Sequence, residues 1–295
     1  MGGRSVSGRV IVTGMFRSGT THLWRLLSAD PAFEVSYCEP LHPRLDQEML
    51  TWEHYRSYQA RADLIKRYWM PDFSSNKLFL KPEDLYPELK MYLEKLLTPK
   101  SLAKFVRLNL RLGWFATSFP DVFIVFIVRD PRGVCFSMLH HPDQEAIIRH
   151  DLPWEDWHAR QYFDLYSQIP LYHQYLSSLK DEPPYVKIMA LWSINIEKSL
   201  CDLQACARHW IVVRYEDLCN QPERELRKIY TAMESELPTE VLCSVNATVG
   251  TERPWQRPTN STRVDLHKQV PDRIWRNGVR KAKIEATMKK LGYEV

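Results

Sequence analysis

Arg9-Val10-Ile11-Val12-Thr13-Gly14-Met15-Phe16-Arg17-Ser18-Gly19-Thr20-Thr21-His22-Leu23 is the stretch whose reading decides the fold. A β-branched run ends at a glycine, and a second glycine follows at position 19. Beyond it Leu23, Leu26 and Leu27 fall on one helical face. The pattern predicts a strand, a tight loop and a helix. A helix N-terminus presents unpaired amides and about half a positive charge, so a loop that empties into one suits an anion. Glycines let such a loop turn tightly and approach a phosphate. The spacing Gly14-x-x-x-x-Gly19-Thr20-Thr21 is that of a phosphate-binding loop, with Thr20 where a nucleoside triphosphatase needs lysine. The cation sits earlier, at Arg17. That exchange suits a nucleotide with one charged group at its 5′ end better than a magnesium-bound triphosphate.

Working outward, the 295 residues suffice for one large α/β domain or two small ones. Hydrophobic residues at 44% and charged residues at 26% describe an ordinary globular chain. A net charge of +4 without a dense basic run gives no case for nucleic acid. The six cysteines are scattered with no C-x-x-C pair, so a zinc site is not expected. The first strand begins within ten residues and no run of eighteen apolar residues follows. The expectation is a cytoplasmic protein without signal peptide or membrane insertion.

Ala32–Cys38 alternates and reads as a second strand. It ends in Glu39-Pro40-Leu41-His42-Pro43, where the prolines forbid a helix and leave Glu39 and His42 in a loop at a strand's carboxyl end. Ligands of open α/β sheets bind beyond those ends. Residues 46–98 read as a mostly helical insertion on the acceptor side, broken near Pro71, Pro82 and Pro87. Ser101–Leu110 reads as a third strand with Lys104 and Arg107 at its end. Val122–Val128 is seven apolar residues without alternation, a strand buried on both faces at the centre of a parallel sheet. It runs into Arg129-Asp130-Pro131, with Pro131 suited to a helix's first turn and Asp130 to its cap. Arg129 then stands at a strand's carboxyl end, and Ser137 lies about two helical turns further on. A helical, aromatic-rich pattern covers Trp154 to Ser178 and Tyr185 to Ala207, in which Trp192 is a candidate for stacking on a base. Residues 140–185 form the second acceptor-side insertion. His209–Tyr215 reads as another buried strand, with a helix from about Glu223. After a polar loop from Trp255, one terminal helix is expected near Arg273–Leu291. Strands alternate with helices throughout, which predicts a single α/β domain, residues 1–295, with a central parallel sheet flanked by helices.

These residues together resemble the sulfotransferases that use 3′-phosphoadenosine 5′-phosphosulfate (PAPS). Arg-Ser-Gly-Thr-Thr at 17–21 is similar to their 5′-phosphosulfate loop. Val128-Arg129-Asp130-Pro131-Arg132 with Ser137 is similar to their 3′-phosphate motif, and Val213–Leu218 to their late strand and helix. Glu39-Pro40-Leu41 and Lys104-x-Val106-Arg107 look most like the carbohydrate branch. Arg276-Asn277-Gly278 is similar to the basic glycine motif of cytosolic members. The resemblance implies the P-loop nucleotide-kinase-like fold and PAPS as co-substrate, with no metal. It implies in-line sulfuryl transfer to a hydroxyl, or less readily an amine, of a carbohydrate or small-molecule acceptor. Donor-binding residues would be Arg17, Ser18, Gly19, Thr20, Thr21, His22, Arg129, Ser137, Arg276, Asn277 and Gly278. Arg17 and the loop amides would stabilise the leaving phosphate oxygen, with Lys104 assisting at the transferring group. A neutral hydroxyl needs a base: Glu39 by resemblance, with His42 and His22 as alternatives. Two rivals stand beside this reading. One is a small-molecule kinase on the same fold, against which the absent loop lysine counts. The other is a sulfotransferase-like module that binds nucleotide without turnover. Acceptor identity and oligomeric state are not encoded in any readable pattern.

Overall fold

A computed structural model describes residues 8–42, 45, 62–70, 73, 77–139, 157–247 and 264–295. Parts of both expected insertions, residues 46–61 and 140–156, and the polar loop from Trp255 lie outside the described residues. In chain order the elements are β1 (Arg9–Thr13), α1 (Thr20–Leu27), β2 (Val35–Cys38), α2 (Ala62–Tyr68), α3 (Pro87–Leu96), β3 (Ser101–Phe105), α4 (Leu112–Ser118), β4 (Val122–Val128) and α5 (Pro131–Leu139). Then follow α6 (Trp157–Ser167), α7 (Pro170–Ser177), α8 (Pro184–Cys206), β5 (Trp210–Arg214), α9 (Tyr215–Asn220), α10 (Pro222–Ala232), α11 (Thr239–Ala247), α12 (Asp272–Lys281) and α13 (Glu285–Lys290). None of the described helices is long and apolar enough to cross a membrane.

The five strands form one all-parallel sheet in the order β2-β3-β1-β4-β5. It belongs to a unit made of residues 1–128 and 198–260. Parallel strands must cross over, and the chain supplies helices in the crossovers, as the alternation of patterns predicts. The strand bearing the glycine loop, β1, is the middle one. Val10, Ile11 and Val12 are buried to 1% exposure or less, as are Ile124 to Val128 of β4 beside it. The unalternated 122–128 run is therefore interior as expected, one place from the centre. The 209–215 run differs from expectation. Among the described residues β5 is an edge strand with a neighbour on one side only, and of its five residues just Val213 is fully buried. β2 is also shorter than its alternating run, starting at Val35.

The chain enters α9 at Tyr215, directly after β5, earlier than the helix expected from Glu223. Glu216 and Asp217 in its first turn complement the helix dipole. Gln221 then breaks the helical path, and Pro222 restarts it as the first residue of α10. Across this unit the Tyr230 hydroxyl donates to the Asp30 carboxylate at 2.7 Å, and the other Asp30 oxygen accepts from the Ala32 amide at 2.8 Å.

Residues 129–197 and 261–295 form a second compact unit. Two expected helices are each split there. Pro170 cannot continue a helix, and it holds Ile169 extended at φ −77°, ψ 119°, which separates α6 from α7. The terminal helix stops at Lys281 because Lys283 turns left-handed at φ 53°, and the Ile284 amide reaches back to the Val279 carbonyl at 3.2 Å. That is a helix-terminating turn built without glycine. Trp192 is not placed to stack on a base. It is 0% exposed, its indole N–H donates to the Arg129 carbonyl at 2.9 Å, and Tyr293 packs against it edge-on. A large ring that satisfies its one donor internally is core.

Candidate active site

The glycine loop leaves β1 as the sequence predicts, but its glycines serve the protein's own packing. A Cβ on Gly14 would sit 2.4 Å from the Ile127 carbonyl of β4. Gly19 is left-handed at φ 92°, and a Cβ there would strike the Tyr215 ring at 2.2 Å. Sequence reasoning missed Tyr215, although it stands at the head of the Tyr-Glu-Asp-Leu phrase. Between the glycines, Arg17 is left-handed and exposed at φ 64°, and the Ser18 amide closes a turn on the Met15 carbonyl at 3.2 Å. The hydroxyls of Ser18 and Thr13 are fully buried and have no partner among the described residues. Helix α1 begins at Thr20 with no side-chain cap and no acidic residue in its first turn. The positive end of its dipole thus has no acidic residue of its own first turn.

His22 lies in that first turn. Burial, then the nearby Arg25 charge, pushes its pKa down to about 4, so the ring is neutral near pH 7.

A buried charged cluster stands where β2 and β3 end. Cys38 is in register with Lys104, and Lys104 with Val12 of β1. One residue on, the Glu39 amide donates to the Lys104 carbonyl at 2.9 Å, extending the ladder past the strand. Glu39 is left-handed at φ 55°, an uncommon state for a long side chain, and is 7% exposed. Its Oε1 lies 2.6 Å from Lys104 Nζ. Its Oε2 accepts from the Val106 amide at 3.3 Å and from Arg107 Nη1 at 3.4 Å. Lys104 Nζ also donates to Thr21 Oγ1 at 2.9 Å, so one ammonium joins the carboxylate to the first turn of α1. Burial pulls the Lys104 pKa down, but Glu39 and Cys38 beside it outweigh this and leave it raised. Burial pushes the Cys38 thiol up, against the opposing pull of Lys104. The His42 amide donates to the Glu39 carbonyl at 3.0 Å, closing the loop after β2. Glu39, Lys104 and Thr21 are thus brought together. Arg107 joins them, in keeping with its place beside Lys104 at the end of the third-strand run.

In the second unit Arg129 follows β4 and is 8% exposed. Its guanidinium lies over Gly133 in the first turn of α5, where a Cβ would come within 2.9 Å of Nε. The Asp130 carboxylate accepts from the Arg132 amide at 2.8 Å and pairs with the Arg132 guanidinium at 2.6 Å. It caps α5 as its position predicts. Ser137 is half-buried in the same helix. Of the C-terminal motif, Arg276 is exposed and bonded to Asp272 at 2.5 Å, and Asn277 donates to the Tyr185 hydroxyl at 2.9 Å. Gly278 packs against Met189 and Tyr185.

An all-parallel sheet, a phosphate-type loop on its middle strand and a buried carboxylate joined through Lys104 to the first turn of α1 frame the candidate active site of a transferase. The chain belongs to the sulfotransferase family, whose profile matches residues 9–239. Among solved structures, the sulfotransferase domain from the curacin biosynthetic pathway is 14% identical over 98% of each chain, with a TM-score of 0.55. Sulfotransferase STF9 from Mycobacterium avium is 15% identical over 98% of this chain and 78% of its own, with a TM-score of 0.52. The sulfotransferase domain of the Synechococcus PCC 7002 olefin synthase is 14% identical over 97% and 95%, with a TM-score of 0.50. At these identities the likeness is one of fold. No curated protein sequence matches the chain significantly.

Proposed function

We propose that this chain, acting as one catalytic domain over residues 1–295, transfers a sulfuryl group from PAPS to a hydroxyl of a carbohydrate or small-molecule acceptor, with Glu39 as base. The observation that carries the reading is the state of the Glu39 carboxylate. An ionised carboxylate offers about four lone-pair sites. Among the described residues three are taken: one on Oε1 by Lys104, and two on Oε2 by Val106 and Arg107. The remaining site, on Oε1, is suited to an acceptor proton, and the same lysine ties it to the phosphate-type loop.

The residues present fit a 5′-phosphosulfate. The buried Ser18 and Thr13 hydroxyls lack partners among the described residues, and the first turn of α1 carries no acidic residue. Ser18, the loop amides, Thr20 and Thr21 would hold the 5′ end, and Arg129 with Ser137 the 3′-phosphate. When bound, PAPS supplies an activated sulfuryl group on a phosphate leaving oxygen. Glu39 Oε1 would take the acceptor's proton as the acceptor oxygen bonds to sulfur and the bond from sulfur to the phosphate oxygen breaks. Lys104, Arg17 and the loop amides would stabilise the charge gained by that oxygen, as preorganised donors do. His22 is held neutral by burial, so it would serve as a hydrogen-bonding wall of the loop.

The test is calorimetric titration with 3′-phosphoadenosine 5′-phosphate, beside adenosine 5′-phosphate and ATP, followed by an acceptor screen with PAPS. Selective binding of the bisphosphate, weakened in Arg129→Ala, is expected. Glu39→Gln should lower kcat by about 10²–10⁴-fold and leave bisphosphate affinity within about twofold. Preference for ATP with magnesium would sink the reading in favour of a kinase. Bisphosphate binding without turnover on a broad panel would favour a nucleotide-binding module.

A further inference from the structure

Glu39 carries the proton in the reading above, but its carboxylate must also be aimed. Its backbone is fixed on both sides, by the Lys104 carbonyl and the His42 amide, in a left-handed conformation that a long side chain seldom adopts. Those bonds do not fix the carboxylate plane, because the last torsion of a glutamate is broad. Lys104 holds Oε1, and an ammonium is a compact point charge about which a carboxylate can swing. The plane is set at Oε2, by the Val106 amide and the Arg107 guanidinium.

Arg107 is equipped for that role. Its side chain is 4% exposed, and its guanidinium carbon lies 5.4 Å from the centroid of the Phe16 ring. Phe16 is part of the phosphate-type loop, between Met15 and Arg17. Among the described residues the guanidinium thus has two partners, the carboxylate and the loop. A planar, rigid group resting on a ring transmits orientation in a way that a lysine cannot.

We propose that Arg107 is a positioning residue that sets the plane of the Glu39 carboxylate against the phosphate-type loop. The proposal rests on the sulfuryl-transfer reading with Glu39 as base. Arg107 acts through Glu39 and not on the donor, so its loss should appear in kcat and not in nucleotide affinity.

The experiment uses the full chain with Arg107→Met, Arg107→Lys and Phe16→Leu. The readouts are calorimetric affinity for 3′-phosphoadenosine 5′-phosphate, kcat and KM for sulfuryl transfer to the acceptor found for the wild type, and urea unfolding of Arg107→Met, Glu39→Gln and their double variant. A misaimed base should cost kcat about 30- to 100-fold in Arg107→Met, with KM and bisphosphate affinity within about threefold. Arg107→Lys should recover part of that loss, because it keeps the charge and the stem but loses the fork. Phe16→Leu should cost kcat about threefold to tenfold by removing the ring under the guanidinium. In unfolding, the double variant should lose less stability than the sum of the two single losses, since both remove the Glu39–Arg107 contact. Additive losses of stability, or kcat of Arg107→Met within about threefold of an active wild type, would overturn the proposal. If Arg107→Met does not fold, Arg107→Lys decides, and undiminished kcat overturns the proposal. A wild type that binds the bisphosphate but transfers nothing overturns the transfer reading and the positioning role together. Full activity in Arg107→Met overturns the positioning role alone.

Discussion

Residues 13–19 and residues 276–278 are both short glycine-bearing segments with a sequence suited to phosphate, and the protein completes them in opposite ways. In the first, the glycines are locked by the protein's own atoms while the Ser18 and Thr13 hydroxyls are buried without a described partner. In the second, Gly278 packs against the Met189 and Tyr185 side chains, and the polar groups are engaged at home, Arg276 with Asp272 and Asn277 with Tyr185. A buried polar group without a partner costs free energy, and proteins keep few of them. On the proposed function, the first segment is kept ready for a ligand while the second holds two helices in place. Sequence similarity to a phosphate motif covers both and cannot make the distinction.

Four measurements sharpen or break that contrast. The largest effect is expected from Gly14→Ala, whose Cβ meets a backbone carbonyl of the neighbouring strand at 2.4 Å. Backbone cannot swing aside as a side chain does, so a loss of about 3 kcal/mol is expected in denaturant unfolding, near the upper end for overpacking. A loss below about 1 kcal/mol would mean that β4 yields and the loop is looser than its packing implies.

His22 comes next. Its folded pKa is about 4 against 6.5 in the unfolded chain. Between those values the unfolded state binds the extra proton, so stability falls as pH falls from 6.5 to 4 and is fully present above 6.5. The wild type should lose up to about 3 kcal/mol over that window relative to His22→Gln. Parallel stability curves for the two proteins would show that the ring is solvated and the first turn of α1 open.

Ser18→Ala tests the contrast most directly. It removes a buried hydroxyl with no described partner, so stability should hold or rise slightly while bisphosphate affinity falls about tenfold. Unchanged affinity with lost stability would reverse the assignment of that group. The smallest effect is expected from Arg276→Ala, which breaks an exposed ion pair on α12. Stability should change by less than about 1 kcal/mol and bisphosphate affinity by less than about twofold. A tenfold loss of affinity would erase the distinction between the two segments.

Much of the sheet was legible because its signals are local. The β-branched run before Gly14 and the unbroken apolar run 122–128 each declare a strand, and each is one. What was missed depended on neighbours distant in sequence. The 209–215 run has the composition of an interior strand, and only strand order makes it an edge. Lys283 gives no sign of a left-handed turn, because lysine does not favour one. Pro170, by contrast, announced a break that a purely periodic reading of 154–178 passes over. In the candidate site the loop, Glu39 and Lys104 were visible as residue types at strand ends. The clasp on Glu39 was not, since it needs β2 and β3 in register and Arg107 folded back onto Phe16. Trp192 drew attention as an aromatic near a nucleotide motif, whereas its size and its one donor are used by the core.

The place of β1 in the sheet also sets when the loop can exist. β1 is synthesised before the strands it pairs with: its partners arrive only with Leu102 and Val122, and the carbonyl against which Gly14 is seated belongs to Ile127. Pairings so distant in sequence are slow, because chain entropy is lost before contacts repay it. A nascent chain stalled before β4 would carry the whole motif from Gly14 to Thr21 and have no loop. On the proposed function, nucleotide binding must therefore await β4, and a fluorescent bisphosphate analogue would report completion of the sheet rather than appearance of the motif.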